Sequence, residues 1–220
     1  MSDTARVGAV HALTASIEPT QAAFKRAWPQ ADVAHLMDSS LYLDRSQGTA
    51  NAEEIARRID QLIQHSASTG AQGILFTGSF FGDAVRQARA HVNVPVLTSF
   101  DGIIERALGL NSPLRVISTA PDSTALLVEE LQQEAQSRGR TVTIAGQVID
   151  GAMEALTSGA LEQHDALVLD AIRAIGEDEV IVIAQFSMER VIDDARSVTK
   201  APVIGTATEG VAALRRALGH

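Results

Sequence analysis

The chain repeats itself. Shifted by 107 residues, Ile74–Leu97 (ILFTGSFFGDAVRQARAHVNVPVL) falls on Ile181–Ile204 (IVIAQFSMERVIDDARSVTKAPVI) without a gap. Ala88-Arg89 then meets Ala195-Arg196, and Pro95-Val96 meets Pro202-Val203. Both copies run on into a small acidic-glycine step, Asp101-Gly102 and Glu209-Gly210, and a helical pattern. A repeat of this length is one supersecondary unit used twice. It predicts two related halves rather than one continuous sheet.

Each half alternates short aliphatic runs with helical patterns. Strands are expected at Val7–His11, Val33–Met37, Ile74–Thr77, Val94–Thr98, Val116–Thr119, Val142–Val148, Val180–Ala184 and Val203–Gly205. Helices are expected at Pro19–Ala27 and Glu53–His65; the second carries Ile55, Ile59, Leu62 and Ile63 on one face. Asn51 followed by Glu54 reads as its capping box. Strands alternating with helices predict an α/β fold of parallel sheets flanked by helices. Runs such as VIVIA fit strands buried on both faces. In such sheets ligands sit beyond the C-terminal strand ends. The repeat makes Gly78-Ser79-Phe80 and Gln185-Phe186-Ser187 equivalent ends, expected to face one cleft from opposite sides of a pseudo-two-fold axis.

Composition removes several alternatives. The chain has no cysteine, which excludes disulfides, thiolate metal sites and cysteine nucleophiles. Its net charge of −9 speaks against a nucleic-acid footprint, which needs a basic stripe. No apolar run approaches the length of a membrane span, and the N-terminus lacks the pattern of a signal peptide, so a cytoplasmic protein is expected. His11, His35, His65, His91, His164 and His220 form no HxH or HExxH spacing, and no phosphate-binding glycine motif follows a strand. No metal and no cofactor are expected.

The stretches WPQADVAHLMDSSLYLD (Trp28–Asp44), ILFTGSFFGDAV (Ile74–Val85), HDALVLDA (His164–Ala171) and VIVIAQFSM (Val180–Met188), in this order and spacing, resemble the aspartate/glutamate/hydantoin racemase superfamily. The resemblance spans nearly the whole chain. It implies two pseudo-symmetric α/β halves around a cleft, divided as residues 1–98 with 206–220 and residues 99–205. It also implies a small carboxylate ligand and a homodimer. In the racemases each half supplies one cysteine just after such a strand, one thiolate removing the proton next to the carboxylate and the other thiol returning one. The first cysteine position corresponds to Gly78, and the second to Gln185 or, in a shifted register, Phe186. Two-cysteine racemisation is therefore closed to this chain. The superfamily is also similar to arylmalonate decarboxylases, in which one of the two positions is a glycine.

The remaining strand-end residues define the candidate site. Gly78 lets backbone approach a ligand closely, and Ser79 and Phe80 follow it into a helical turn whose N–H groups suit an anion. Gln185, Phe186 and Ser187 form the partner end; an amide and a hydroxyl orient a carboxylate but take no carbon-bound proton. Thr119 ends another strand as a carboxylate contact. His11 and Asp38 are the proton-transfer candidates, His11 because it titrates near neutrality, Asp38 as a carboxylate base or a turn cap. His164 with Asp165 reads as a structural pair whose side chains do not face each other. Three functions fit this set: proton transfer at the carbon next to a carboxylate, decarboxylation, and carboxylate binding without turnover.

Overall fold

The structure, a computed structural model, describes residues 4–220. Strands β1 (Arg6–His11), β2 (Asp32–Met37), β3 (Gly73–Phe76) and β4 (Val96–Leu97) form one sheet in the order β2-β1-β3-β4. Strands β5 (Leu114–Ser118), β6 (Ile144–Val148), β7 (Val180–Ile183) and β8 (Val203–Gly205) form another in the order β6-β5-β7-β8. Every pairing is parallel. Contacts group the described residues up to Gly102 with Ala207–His220 as one compact unit, and Ile103–Thr206 as a second.

The hydrogen-bond register carries the repeat. Val7 lies opposite Gly73 as Leu114 lies opposite Val180, and Ile74 opposite Val96 as Ile181 opposite Val203. Each residue of the first pairs is 107 positions before its counterpart. The α/β reading therefore holds, with the same strand order built twice.

The helices are α1 (Ile17–Ala27), α2 (Ser40–Gln47), α3 (Ala52–Ser68), α4 (Gly82–Ala88), α5 (Asp101–Gly109), α6 (Pro121–Ser137), α7 (Ala152–Thr157), α8 (Leu161–Arg173), α9 (Ile192–Val198) and α10 (Thr206–Ala217). In the first unit Val10, Ile74 and Phe76 pack against Ile55, Ile59 and Ile63 of α3 and Val85 of α4. The capping box is formed: Asn51 Oδ1 accepts from Glu54 N at 2.9 Å, and Glu54 Oε2 accepts from Asn51 N at 3.1 Å. In the second unit Ile181 and Ile183 pack against Val168 and Ile172 of α8 and Ile192 and Ala195 of α9. β3 and β7 are buried throughout, whereas β2, an edge strand, leaves His35 and Met37 exposed.

Two local expectations change. The segment after β2, between the two helices expected from sequence, contains a further helix, α2. An Asx turn starts it, with Ser40 N donating to Asp38 Oδ1 at 3.0 Å, and Gly48 at φ 65° ends it. Leu41 is fully buried and fixes the inward face. His164 and Asp165, although sequence neighbours on α8, do meet: Nδ1 lies 2.8 Å from Oδ1, and Arg190 Nε reaches the same carboxylate at 3.0 Å. Helix geometry does not make neighbours face each other, but here the Asp165 carboxylate reaches back to His164.

Within the first unit the start of α5 crosses the start of α10 at near-contact. A Cβ at Gly102 would lie 2.3 Å from the Glu209 carbonyl oxygen and 2.8 Å from Gly210 Cα. Backbone does not yield as a side-chain tip does, so this crossing needs a residue without Cβ. Gly102→Ala is expected to cost about 1–3 kcal/mol by overpacking, read as a lower urea midpoint at unchanged denaturant slope.

Candidate active site

At the C-terminal edge of the first sheet the ladder continues one step beyond the strands. Thr77 N donates to Val10 O at 2.9 Å and Asp38 N to His11 O at 3.0 Å. The chain then leaves the sheet at Gly78, extended at φ −106° and ψ 105°, and enters a 3-10 turn over Ser79–Phe81. There is no room for a side chain at Gly78. A Cβ would stand 2.7 Å from the Phe81 ring, 2.8 Å from the Phe76 ring and 3.2 Å from Ala12 Cβ. Two phenylalanine rings thus seal this strand end.

Ser79 is buried, and its hydroxyl lies near enough to the phenol of Tyr42 from α2 to act on that phenol's pKa. The Tyr42 ring meets Phe80 and Phe81 edge-on at 5.7 and 5.2 Å, and the Arg45 guanidinium sits 4.3 Å from the Phe80 ring centroid. Burial raises the Tyr42 pKa above its ordinary value, against the opposing effect of the Ser79 hydroxyl and nearby Arg45. The phenol is therefore a donor at neutral pH. A cavity of about 590 Å³ opens beside this cluster, lined in part by Arg45, Ile55, Phe80, Phe81, Ala84 and Gln87.

Asp38 is engaged elsewhere. Arg58 of α3 reaches its Oδ2 at 2.6 Å and Asp44 Oδ2 at 2.5 Å, and also contacts Ser40 Oγ. One guanidinium thus ties the start of α2 to its middle. Partial burial pushes the Asp38 pKa up, but hydrogen bonds from Ser40 and Arg58 outweigh it and hold the carboxyl below its ordinary range. Its acceptor capacity is spent on the clasp, which makes it a poor proton acceptor.

His11 is fully buried at the end of β1. Its Nδ1 lies 2.9 Å from Thr77 Oγ1 and its Nε2 lies 2.9 Å from Nδ1 of His35. Burial, with the neighbouring His35 adding to it, lowers the His11 pKa from 6.5 to about 4, so the ring is neutral at pH 7. Burial also lowers the His35 pKa.

The second unit turns out of its sheet in the same way. Gln185, extended at φ −126° and ψ 135°, precedes a 3-10 turn over Phe186–Val191. Its position 107 residues after Gly78, matched by the registers of both sheets, makes Gln185 rather than Phe186 the counterpart of Gly78. Gln185 Oε1 accepts from Thr119 N at 2.7 Å and Thr119 Oγ1 at 2.9 Å, which leaves the amide NH₂ as a donor. Phe186 and Ser187 are buried. The counterpart of His11 is Ser118, whose hydroxyl meets Thr124 Oγ1 at 2.6 Å. The imidazole thus belongs to one unit only. Glu189, nearly fully buried, stands under Gly205, where a Cβ would lie 2.5 Å from its carboxyl group.

The structure thus brings Gly78, Ser79, Phe80 and His11 to one strand edge, and Thr119, Gln185, Phe186 and Ser187 to another. Tyr42, Thr77, His35 and Arg58 were not singled out from sequence. The pairing of His11 with His35 across adjacent strands leaves no local spacing to read; only their common face of the sheet, Ala9 opposite His35 in the ladder, would have linked them. Among the described residues no group of three or more His, Cys, Asp or Glu is placed to hold a metal ion, and no helix is long and apolar enough to cross a membrane.

Residues 9–183 match the Asp/Glu/hydantoin racemase family, and the chain belongs to it. Its fold is similar to that of allantoin racemase from Klebsiella pneumoniae (16% identity, TM-score 0.68, covering 98% of this chain and 89% of that one). It is similar to an aspartate racemase homologue from Pyrococcus horikoshii (13% identity, TM-score 0.74, covering 100% of both chains). A mutant arylmalonate decarboxylase in a sulfate-associated form is likewise similar (15% identity, TM-score 0.67, covering 97% and 93%). At these identities the likeness establishes the fold. No curated protein matches the sequence significantly.

The buried imidazole makes folding sensitive to acid. Unfolded, His11 takes up a proton near pH 6.5; folded, it resists until about pH 4. Between these values the unfolded chain binds more protons, so stability falls as pH falls. The loss from His11 approaches about 3 kcal/mol by pH 4, and His35 acts in the same direction. Urea titrations from pH 7 to pH 4 are expected to show this fall in the native sequence and a shallower one in His11→Gln.

Proposed function

We propose that this family member binds a small carboxylate at the Gly78-Ser79 strand end and moves a proton at the carbon next to that carboxylate, using His11 and no thiol. The observation that carries the reading is the company this strand end keeps. Immediately before Gly78, Thr77 Oγ1 contacts the buried His11; immediately after it, Ser79 lies beside the Tyr42 phenol. Backbone N–H groups entering a turn, a serine hydroxyl and a phenol donor are the kind of fixed dipoles that stabilise an enediolate. In the second unit the Gln185 amide, braced by Thr119, and Ser187 are proposed to orient the same class of ligand. Asp38, bound by Arg58, is proposed to hold α2 and thereby Tyr42 in place, with no direct share in proton transfer. Phe80 and the adjoining cavity, lined by both apolar and charged side chains, offer room for the ligand's side group.

A second reading, a lyase, is favoured by two features: no base fits at Gly78, and His11 is only weakly basic. Racemisation needs an acid and a base on opposite faces of the carbon, whereas decarboxylation needs one proton. The C–C bond to the departing carboxylate breaks, its electron pair passes into the enediolate, and one proton is then added to carbon.

Proton NMR in deuterated water separates these readings, with aspartate, glutamate, hydantoins and aryl- and alkylmalonates as the panel. Loss of an α-proton signal supports proton transfer, and release of bicarbonate supports the lyase. Line broadening by one compound without turnover would reduce the protein to a carboxylate binder. Tyr42→Phe removes the phenol beside Ser79, and is expected to lower stability by about 1 kcal/mol, in line with one buried hydrogen bond, and to weaken the affinity for whichever panel compound binds.

A further inference from the structure

The geometry points to a three-link proton relay, His35–His11–Thr77, that joins solvent at edge strand β2 to the strand end at Gly78, with His35 as its outer port. Its use in turnover rests on the reading of Gly78-Ser79 as the ligand site; its existence does not.

The links are continuous. His35 Nδ1 is 2.9 Å from His11 Nε2, and His11 Nδ1 is 2.9 Å from Thr77 Oγ1. Water can reach only the first. His35 is exposed and lines an open hollow of about 230 Å³ together with Gln21, Lys25 and Trp28. His11 has no exposed surface and Thr77 only 4%. A side chain in the interior thus connects, through one neighbour on each side, the outer face of a sheet to its C-terminal edge.

The chemistry of the links suits conduction. A neutral imidazole accepts at one nitrogen and donates at the other, and a hydroxyl does both. In one arrangement His35 Nδ1–H donates to His11 Nε2, His11 Nδ1–H donates to Thr77, and Thr77 donates onwards. Water then gives a proton to His35 Nε2. The Nδ1 proton of His35 passes to His11 Nε2, that of His11 Nδ1 to Thr77 Oγ1, and the original Thr77 proton to the acceptor beside Gly78. One proton enters, one leaves, and both rings end neutral as the other tautomer, with every hydrogen bond reversed. The reverse passage restores the first arrangement. No imidazolium has to form in the interior, where burial makes it costly. Ser118 at the equivalent place in the second unit cannot extend such a chain by itself.

A purely structural pair would tolerate replacements that keep the hydrogen bonds but cannot carry protons, and the test uses these. With ¹⁵N-histidine-labelled full-length protein, the exchange of the His11 ring N–H with water is measured by NMR. In His35→Gln an amide can still bond His11 Nε2 but cannot hand on a proton. Exchange is expected to be at least tenfold slower in His35→Gln than in the native sequence, with backbone spectra otherwise preserved. Equal exchange rates in the two proteins, or a His11 N–H already protected in the native sequence, would overturn the relay. Thr77→Val and Thr77→Ser give the second readout on any panel compound that turns over. The valine variant is expected to lose at least tenfold in α-hydrogen exchange or bicarbonate release at unchanged ligand affinity, and the serine variant to retain most of it. Turnover unaffected by Thr77→Val would also overturn the proposal. If no compound turns over, the functional reading fails while the exchange measurement still decides the relay.

Discussion

Each sheet depends on a central strand hydrogen-bonded on both sides, β1 between β2 and β3, and β5 between β6 and β7. Parallel pairing fixes not only who neighbours whom but where the strands stop. Because β1 and β3 are locked with Val10 opposite Phe76, His11 and Thr77 must emerge side by side, and Gly78 must follow. A slip by one residue would turn His11 to the opposite face, into the aliphatic packing of α3. The candidate site is thus a consequence of ladder register before it is a matter of side-chain chemistry.

On that frame the polar groups are arranged by competition between burial and partners. Asp38 is partly and His11 fully buried, and the two end in opposite electrostatic conditions. Asp38 gains a guanidinium and serine donors, stays ionised and serves as a fastening. His11 gains only neutral or histidine neighbours, stays uncharged and keeps two nitrogens in contact with groups that can exchange protons. The sequence shows two titratable residues at successive strand ends; only the partner from α3 separates their roles.

Much of this was legible in advance where the signal is local or periodic. The strands, the α3 cap at Asn51 and Glu54 and the offset of 107 residues follow from aliphatic runs and residue order. What escaped depends on contacts between distant segments. Tyr42 and Arg58 become meaningful only when α2 and α3 are placed against the Gly78 turn. The helix α2 hides in polar sequence because its stability comes from Leu41, the Arg58 clasp and Gly48 rather than from an amphipathic stripe. The gapless offset of 107 already favours Gln185 over Phe186 as the counterpart of Gly78, and the equal hydrogen-bond registers of the two sheets fix that choice.

The two phenylalanine rings over Gly78 also limit what this position can become. Any side chain added there would first have to displace Phe76 or Phe81, both packed into the same aliphatic core. A single replacement at Gly78 therefore disturbs the packing of the unit before it changes the chemistry of the strand end.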